Sequence, residues 1–91
     1  MAKYRNKPMV VEAIQFFDDA ETISIIHEFT GINPLRVDYA QPDNPQLIIP
    51  TFEGSMRANI GDWIIKVGDW GCYPCKPEIF EATYELLEVE A

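Results

Sequence analysis

The sequence predicts an α+β fold. Residues 1–91 form one small domain, an antiparallel β-meander with one amphipathic helix, about residues 19–30, packed on it. Three observations lead there. Short runs rich in Val, Ile, Phe and Trp are separated by Gly-containing turns, as in consecutive hairpins. Asp18-Asp19-Ala20-Glu21 is a helix start and Gly31 a helix stop, with isoleucines at helical spacing between them. A hydrophobic fraction of 47% with 24% charged residues belongs to a folded globular chain, not a disordered one. At 91 residues the chain buries only about two-thirds of its unfolded surface, so most aromatic and branched residues are needed for the core.

Taken in order, Pro8 ends a basic lead-in, and Met9 to Phe17 reads as a strand. Its two faces each carry one polar side chain among apolar ones, Glu12 and Gln15. Either these bond to neighbouring backbone near an edge, or one of them points into a ligand pocket. In the helix, Asp18 as N-cap with Glu21 three residues on makes a capping-box pattern, and Ile23, Ile25, Ile26 and Phe29 supply the apolar stripe. Arg36 to Tyr39 is a short strand and Gln41 to Pro45 a loop. Gln46 to Phe52 is a strand in which Pro50 marks an edge or a bulge, and Glu53-Gly54 turns it into Ser55–Ile60.

Gly61-Asp62 leads into Trp63–Val67, with Trp63, Ile65 and Val67 on one side and Ile64 and Lys66 on the other. Gly68 to Gly71 reverses the chain into Cys72–Cys75. Pro77 opens a helical turn through Glu81; Thr83 to Val89 finishes as helix or as a last strand, and Thr83-Tyr84-Glu85-Leu86, which suits a sheet edge, favours the strand.

Charge narrows the function. A formal net charge of -8 opposes nonspecific attraction to DNA, RNA or anionic membranes, so no nucleic-acid polymer and no membrane are expected as partners. No apolar run spans a bilayer, and Met1 to Arg5 lacks the apolar segment of a secretory signal, so the expected compartment is the cytoplasm. Two cysteines in such a chain are expected to be reduced.

Catalytic patterns are scarce. Cys72-Tyr73-Pro74-Cys75 can be a dithiol pair, half of a zinc site, or core packing. The redox arrangement wants a strand–motif–helix layout, and the zinc site needs further ligands where His27 is the one histidine. His27 has no nucleophile to serve; Ser24 and Ser55 lack a nucleophile-elbow context; no phosphate-binding glycine loop or zinc-protease motif occurs. The expectation is a protein that is not an enzyme and uses no cofactor or metal.

Aromatic rings and cations remain. Trp63, Trp70, Tyr73 and Tyr84 cluster in sequence with Arg57, Lys66 and Lys76, while Arg5 and Lys7 stand in the lead-in. Rings beside guanidinium and ammonium groups stack bases and pair phosphates; the alternative is that the rings are simply core. Trp70, in a Gly-Asp-Trp-Gly turn, is expected to be exposed. The candidate ligand-binding residues are therefore Arg5, Lys7, Gln15, Arg57, Trp63, Lys66, Trp70, Tyr73, Lys76 and Tyr84.

Five stretches taken together resemble a widespread family of small proteins from tailed phages and prophages. They are Tyr4-Arg5-Asn6-Lys7-Pro8 with Val10 to Gln15, Glu53-Gly54-Ser55-Met56, Gly61 to Lys66, Tyr73 to Pro77, and Phe80-Glu81 with Tyr84. In that family the position of Cys72 is usually another residue, which weakens the redox reading. The resemblance implies a phage origin and an accessory role in the cytoplasm of an infected bacterium, and assigns no catalytic residues. By analogy with phage proteins that sequester nucleotide immune signals, it suggests capture of a cyclic dinucleotide or cyclic ADP-ribose species by a homo-oligomer. The alternative is an acidic protein-interaction module that inhibits or recruits a host or phage protein.

Overall fold

The computed structural model describes residues 2, 11–51, 53–67 and 71–84, and they form two antiparallel three-stranded sheets and two helices. The elements are β1 (Glu12–Gln15), α1 (Ala20–Thr30), β2 (Arg36–Asp38), β3 (Gln46–Thr51), β4 (Gly54–Asn59), β5 (Trp63–Lys66), β6 (Cys72–Cys75) and α2 (Pro77–Thr83). The fold is α+β, as the sequence predicts. Its hairpins β3–β4 and β5–β6 are divided between sheets: sheet A has the order β1-β5-β6 and sheet B the order β2-β3-β4.

Residues directly opposite on neighbouring strands share a face, so the register fixes what each sheet buries. In sheet A, the rows Ile14–Ile64–Pro74 and Glu12–Lys66–Cys72 lie on one face. Gln15–Trp63–Cys75 and Ala13–Ile65–Tyr73 lie on the other. In sheet B, Val37, Leu47, Ile49 and Ala58 share the inward face. The core joins Leu47, Ile49 and Ala58 of sheet B to Ile64 and Cys72 of sheet A, with Ile26 of α1 and Phe16 from the loop after β1. β6 runs against β3 and β4, which brings the sheets together.

α1 has the expected length and the expected stop. Gly31 takes a left-handed conformation (φ 71°), and its N–H donates to the His27 carbonyl at 2.9 Å. The start differs by one residue. Asp19, not Asp18, is the N-cap; its carboxylate accepts from the Thr22 N–H at 2.7 Å and the Thr22 hydroxyl at 2.9 Å. Asp18 instead accepts from the Tyr39 hydroxyl at 2.8 Å. A threonine at the third helical position offers two donors to one carboxylate, and that selects the nearer aspartate.

The C-terminal reading is also corrected. Helix α2 continues through Thr83 where the sequence reading stops the turn at Glu81, and Tyr84 caps it in place of the strand expected from Thr83. Phe80 and Tyr84 sit four apart on one helical side and form a ring pair at 5.2 Å, and Phe80 stacks on Trp63 of sheet A. Packing on the sheet decides the helix. Residues 85–89 of the expected last element lie outside the described residues, as do Met9 and Val10 of the first strand.

The corner between β4 and β5 carries the chain from one sheet to the other. Gly61 reverses it with φ 93°, a value that side chains disfavour. The Phe16 N–H donates to the Asp62 carbonyl and the Gly61 N–H to the Phe16 carbonyl, both at 2.8 Å.

Truncating Ile64, fully buried where both sheets and α1 meet, should cost about 2–5 kcal/mol. Urea unfolding of Ile64→Ala measures this, and a loss below about 1 kcal/mol would contradict the assigned core.

Candidate functional site

The ten expected binding residues separate into groups. Arg5, Lys7 and Trp70 lie outside the described residues. Gln15, Trp63, Tyr73, Lys76 and Tyr84 gather on or beside the face of sheet A that points away from the main core. Lys66 and Arg57 do not join them.

The sheet-A face is built around Trp63. Its ring stacks on Phe80 with centroids 4.3 Å apart and planes 12° from parallel, and Phe80 in turn tilts against Tyr84. Aromatic stacking of this kind adds about 0.5–1.5 kcal/mol to the burial itself. The indole Nε1–H is buried and, among the described residues, has no acceptor. On either side of Trp63 in its row are Gln15 and Cys75; Tyr73 stands one row on, across from Ile65. Gln15 takes the backbone option, its Nε2 donating to the Gly61 carbonyl at 2.9 Å.

Lys76 immediately precedes α2. Its ammonium pairs with the Asp62 carboxylate at 3.1 Å; the carboxylate side chain is 5% exposed and the lysine side chain 48%. Asp62 also accepts from the Asn59 N–H at 2.8 Å. An ammonium has three donors, so the exposed part of Lys76 retains capacity for an anion.

Lys66 projects from the opposite face of the same strand, as alternation requires, opposite Glu12 and with its ammonium 5.7 Å from the centre of the Phe29 ring of α1. Arg57 belongs to sheet B. Its guanidinium donates to Asp38 at 2.6 Å and to Gln46 at 3.3 Å. Asp38 is held below the ordinary carboxylate value, first by the Ala40 N–H and then by Arg57. Closeness in sequence thus overstates how many cations meet the aromatic rings. What the sequence reading missed is Phe80, the ring that connects Trp63 to Tyr84; the four-residue spacing to Tyr84 was its signal.

The two cysteines lie on opposite faces of β6, Cys72 toward the core and Cys75 beside Trp63. Three residues of strand span about 10 Å, beyond the roughly 7 Å between Cα atoms that a disulfide tolerates. Burial pushes the Cys72 thiol up from its ordinary 9.0, partly opposed by Lys66. Burial, then the charges of Asp62 and Glu78, push Cys75 up as well. Neither thiol has the depressed pKa of a redox nucleophile. Among the described residues, no three His, Cys, Asp or Glu side chains are grouped to hold a metal ion, and no helix is long and apolar enough to cross a membrane.

Since only the thiolate reacts, raised thiols should be slow at neutral pH. Alkylation of the folded protein by iodoacetamide should climb about tenfold per pH unit up to and beyond pH 9. Fast labelling at pH 7, or an internal disulfide after mild oxidation of the folded chain, would contradict the geometry.

No protein-family profile, no characterised protein and no solved structure matches this chain.

Proposed function

We propose that this is a non-catalytic accessory protein of phage type that captures a nucleotide-class signal, a cyclic dinucleotide or cyclic ADP-ribose species, on the aromatic face of sheet A. The observation that carries the reading is the Trp63–Phe80–Tyr84 column with a buried indole N–H that lacks an acceptor. Leaving such a donor unsatisfied costs about 1–3 kcal/mol. A ring nitrogen or carbonyl of a bound base, or a group from a second copy of the chain, would satisfy it once the indole shifts to bring the buried N–H to the surface. The part-exposed rings suit stacking of a base, and the exposed part of the Lys76 ammonium suits a phosphate oxygen. Arg5, Lys7 and Trp70 are further expected contributors. A pocket completed between subunits fits a chain this small, so a homo-oligomer belongs to the proposal.

A second reading rests on a different observation. Asp18, Asp19, Glu21 and Glu28 are all exposed along α1 and its entry, a surface that could dock on a basic protein.

Calorimetry against a panel of cyclic dinucleotides and cyclic ADP-ribose species tests the first reading, with at least one ligand expected to bind. Trp63→Phe, which keeps a stacking ring and removes the N–H, should weaken that ligand about tenfold. Recovery of every ligand unbound would overturn the reading. A stoichiometric, salt-sensitive partner on a column carrying the protein would then favour the acidic module.

A further inference from the structure

Sheet B carries a feature of its own on its outward face. The row Arg36–Ile48–Arg57 crosses all three strands there, and Pro50 and Ser55 form a row beyond it. β2 begins only at Arg36, so Pro50, although in the central strand, lies past the last β2 pairing and needs no N–H for it. The result is an open notch of about 240 Å³ lined by Pro34, Arg36, Ile48, Pro50 and Ser55.

The lining is apolar except at two points, the Ser55 hydroxyl and the Arg36 guanidinium. Arg57 is taken up by Asp38 and Gln46. Arg36 is exposed and, among the described residues, its guanidinium has neither an ion pair nor a hydrogen bond. A guanidinium without a partner beside an apolar floor matches a planar carboxylate attached to an apolar body. The volume falls below the roughly 300 Å³ at which small-molecule pockets begin, and suits one or two side chains. Being open, it would leave a free acid largely in water, whereas a peptide continues past the rim. Arg36 is the one charged residue lining the notch, and a net charge of -8 disfavours polyanions, so the site is matched to a single carboxylate.

We propose that this notch docks a segment of a partner protein in which one carboxylate is flanked by apolar side chains. The carboxylate pairs with Arg36, and the flanking side chains lie on Pro34, Ile48 and Pro50. The inference does not depend on the aromatic face of sheet A.

The test is an NMR titration of the full chain with a blocked Leu-Asp-Val amide, following the Ile48 methyl and Ser55 amide signals. These should shift, while the Leu-Asn-Val amide binds about tenfold more weakly. Arg36→Gln should lose the difference between the two peptides and Arg36→Lys should keep part of it. Equal binding of both peptides, undiminished binding to Arg36→Gln, or no shift at these positions would overturn the proposal. So would a fall in the sedimenting mass of the unliganded protein on Arg36→Gln, because the occupant would then be a second copy of the chain. Nucleotide calorimetry on Arg36→Gln should match the parent protein, so either site can fail alone.

Discussion

The structure depends on how the chain leaves one sheet and enters the other at residues 59–62. Asp62 is 4% exposed, yet it keeps a carboxylate there because that group is supplied with donors from two directions, the Asn59 N–H and the Lys76 ammonium. The backbone around it is tied to Phe16 by two hydrogen bonds and to the Gln15 side chain by a third. Five separate pieces are fixed at one point: the end of β1, the end of β4, the start of β5, the approach to α2 and the loop holding Phe16. A buried carboxylate without these donors would cost more than an isolated hydrogen bond returns. The corner therefore also holds Lys76 in place at the start of the helix that carries Phe80.

Much of this fold was readable because its signals are local. An aspartate cap, isoleucines three apart and a terminal glycine specify α1 within a dozen or so residues, and Gly54 and the alternation of Trp63 to Val67 specify hairpins. The division into two sheets was not readable. It requires Glu12–Gln15 to pair with Trp63–Lys66 across more than half of the chain, and no local feature of either segment names the other. The continuation of α2 through Thr83 is a similar case, where Phe80 packs on the indole of a strand earlier in the chain.

The candidate site shows the same limit from the other side. Arg57, Trp63 and Lys66 are neighbours in sequence, but proximity along a strand is not proximity on a face. Trp63 and Lys66 are three apart and must point to opposite sides of β5. That consequence follows from alternation alone, as does the separation of Cys72 from Cys75. Arg57 is removed by the change of sheet, which sequence could not foretell.

Acids outnumber bases in this chain by 15 to 7, so a cation near the surface ordinarily finds a carboxylate. Arg57 and Lys76 do so. Arg36 departs from that expectation: Asp38, two residues along its own strand on the same face, is claimed by Arg57 reaching across β3. Two arginines compete for one carboxylate, and the one with an additional acceptor in Gln46 holds it. The remaining guanidinium is thus a product of the sheet register, not of local composition. Since the aromatic face and this notch lie on different sheets with the shared core between them, perturbing one should leave the other's affinity nearly unchanged.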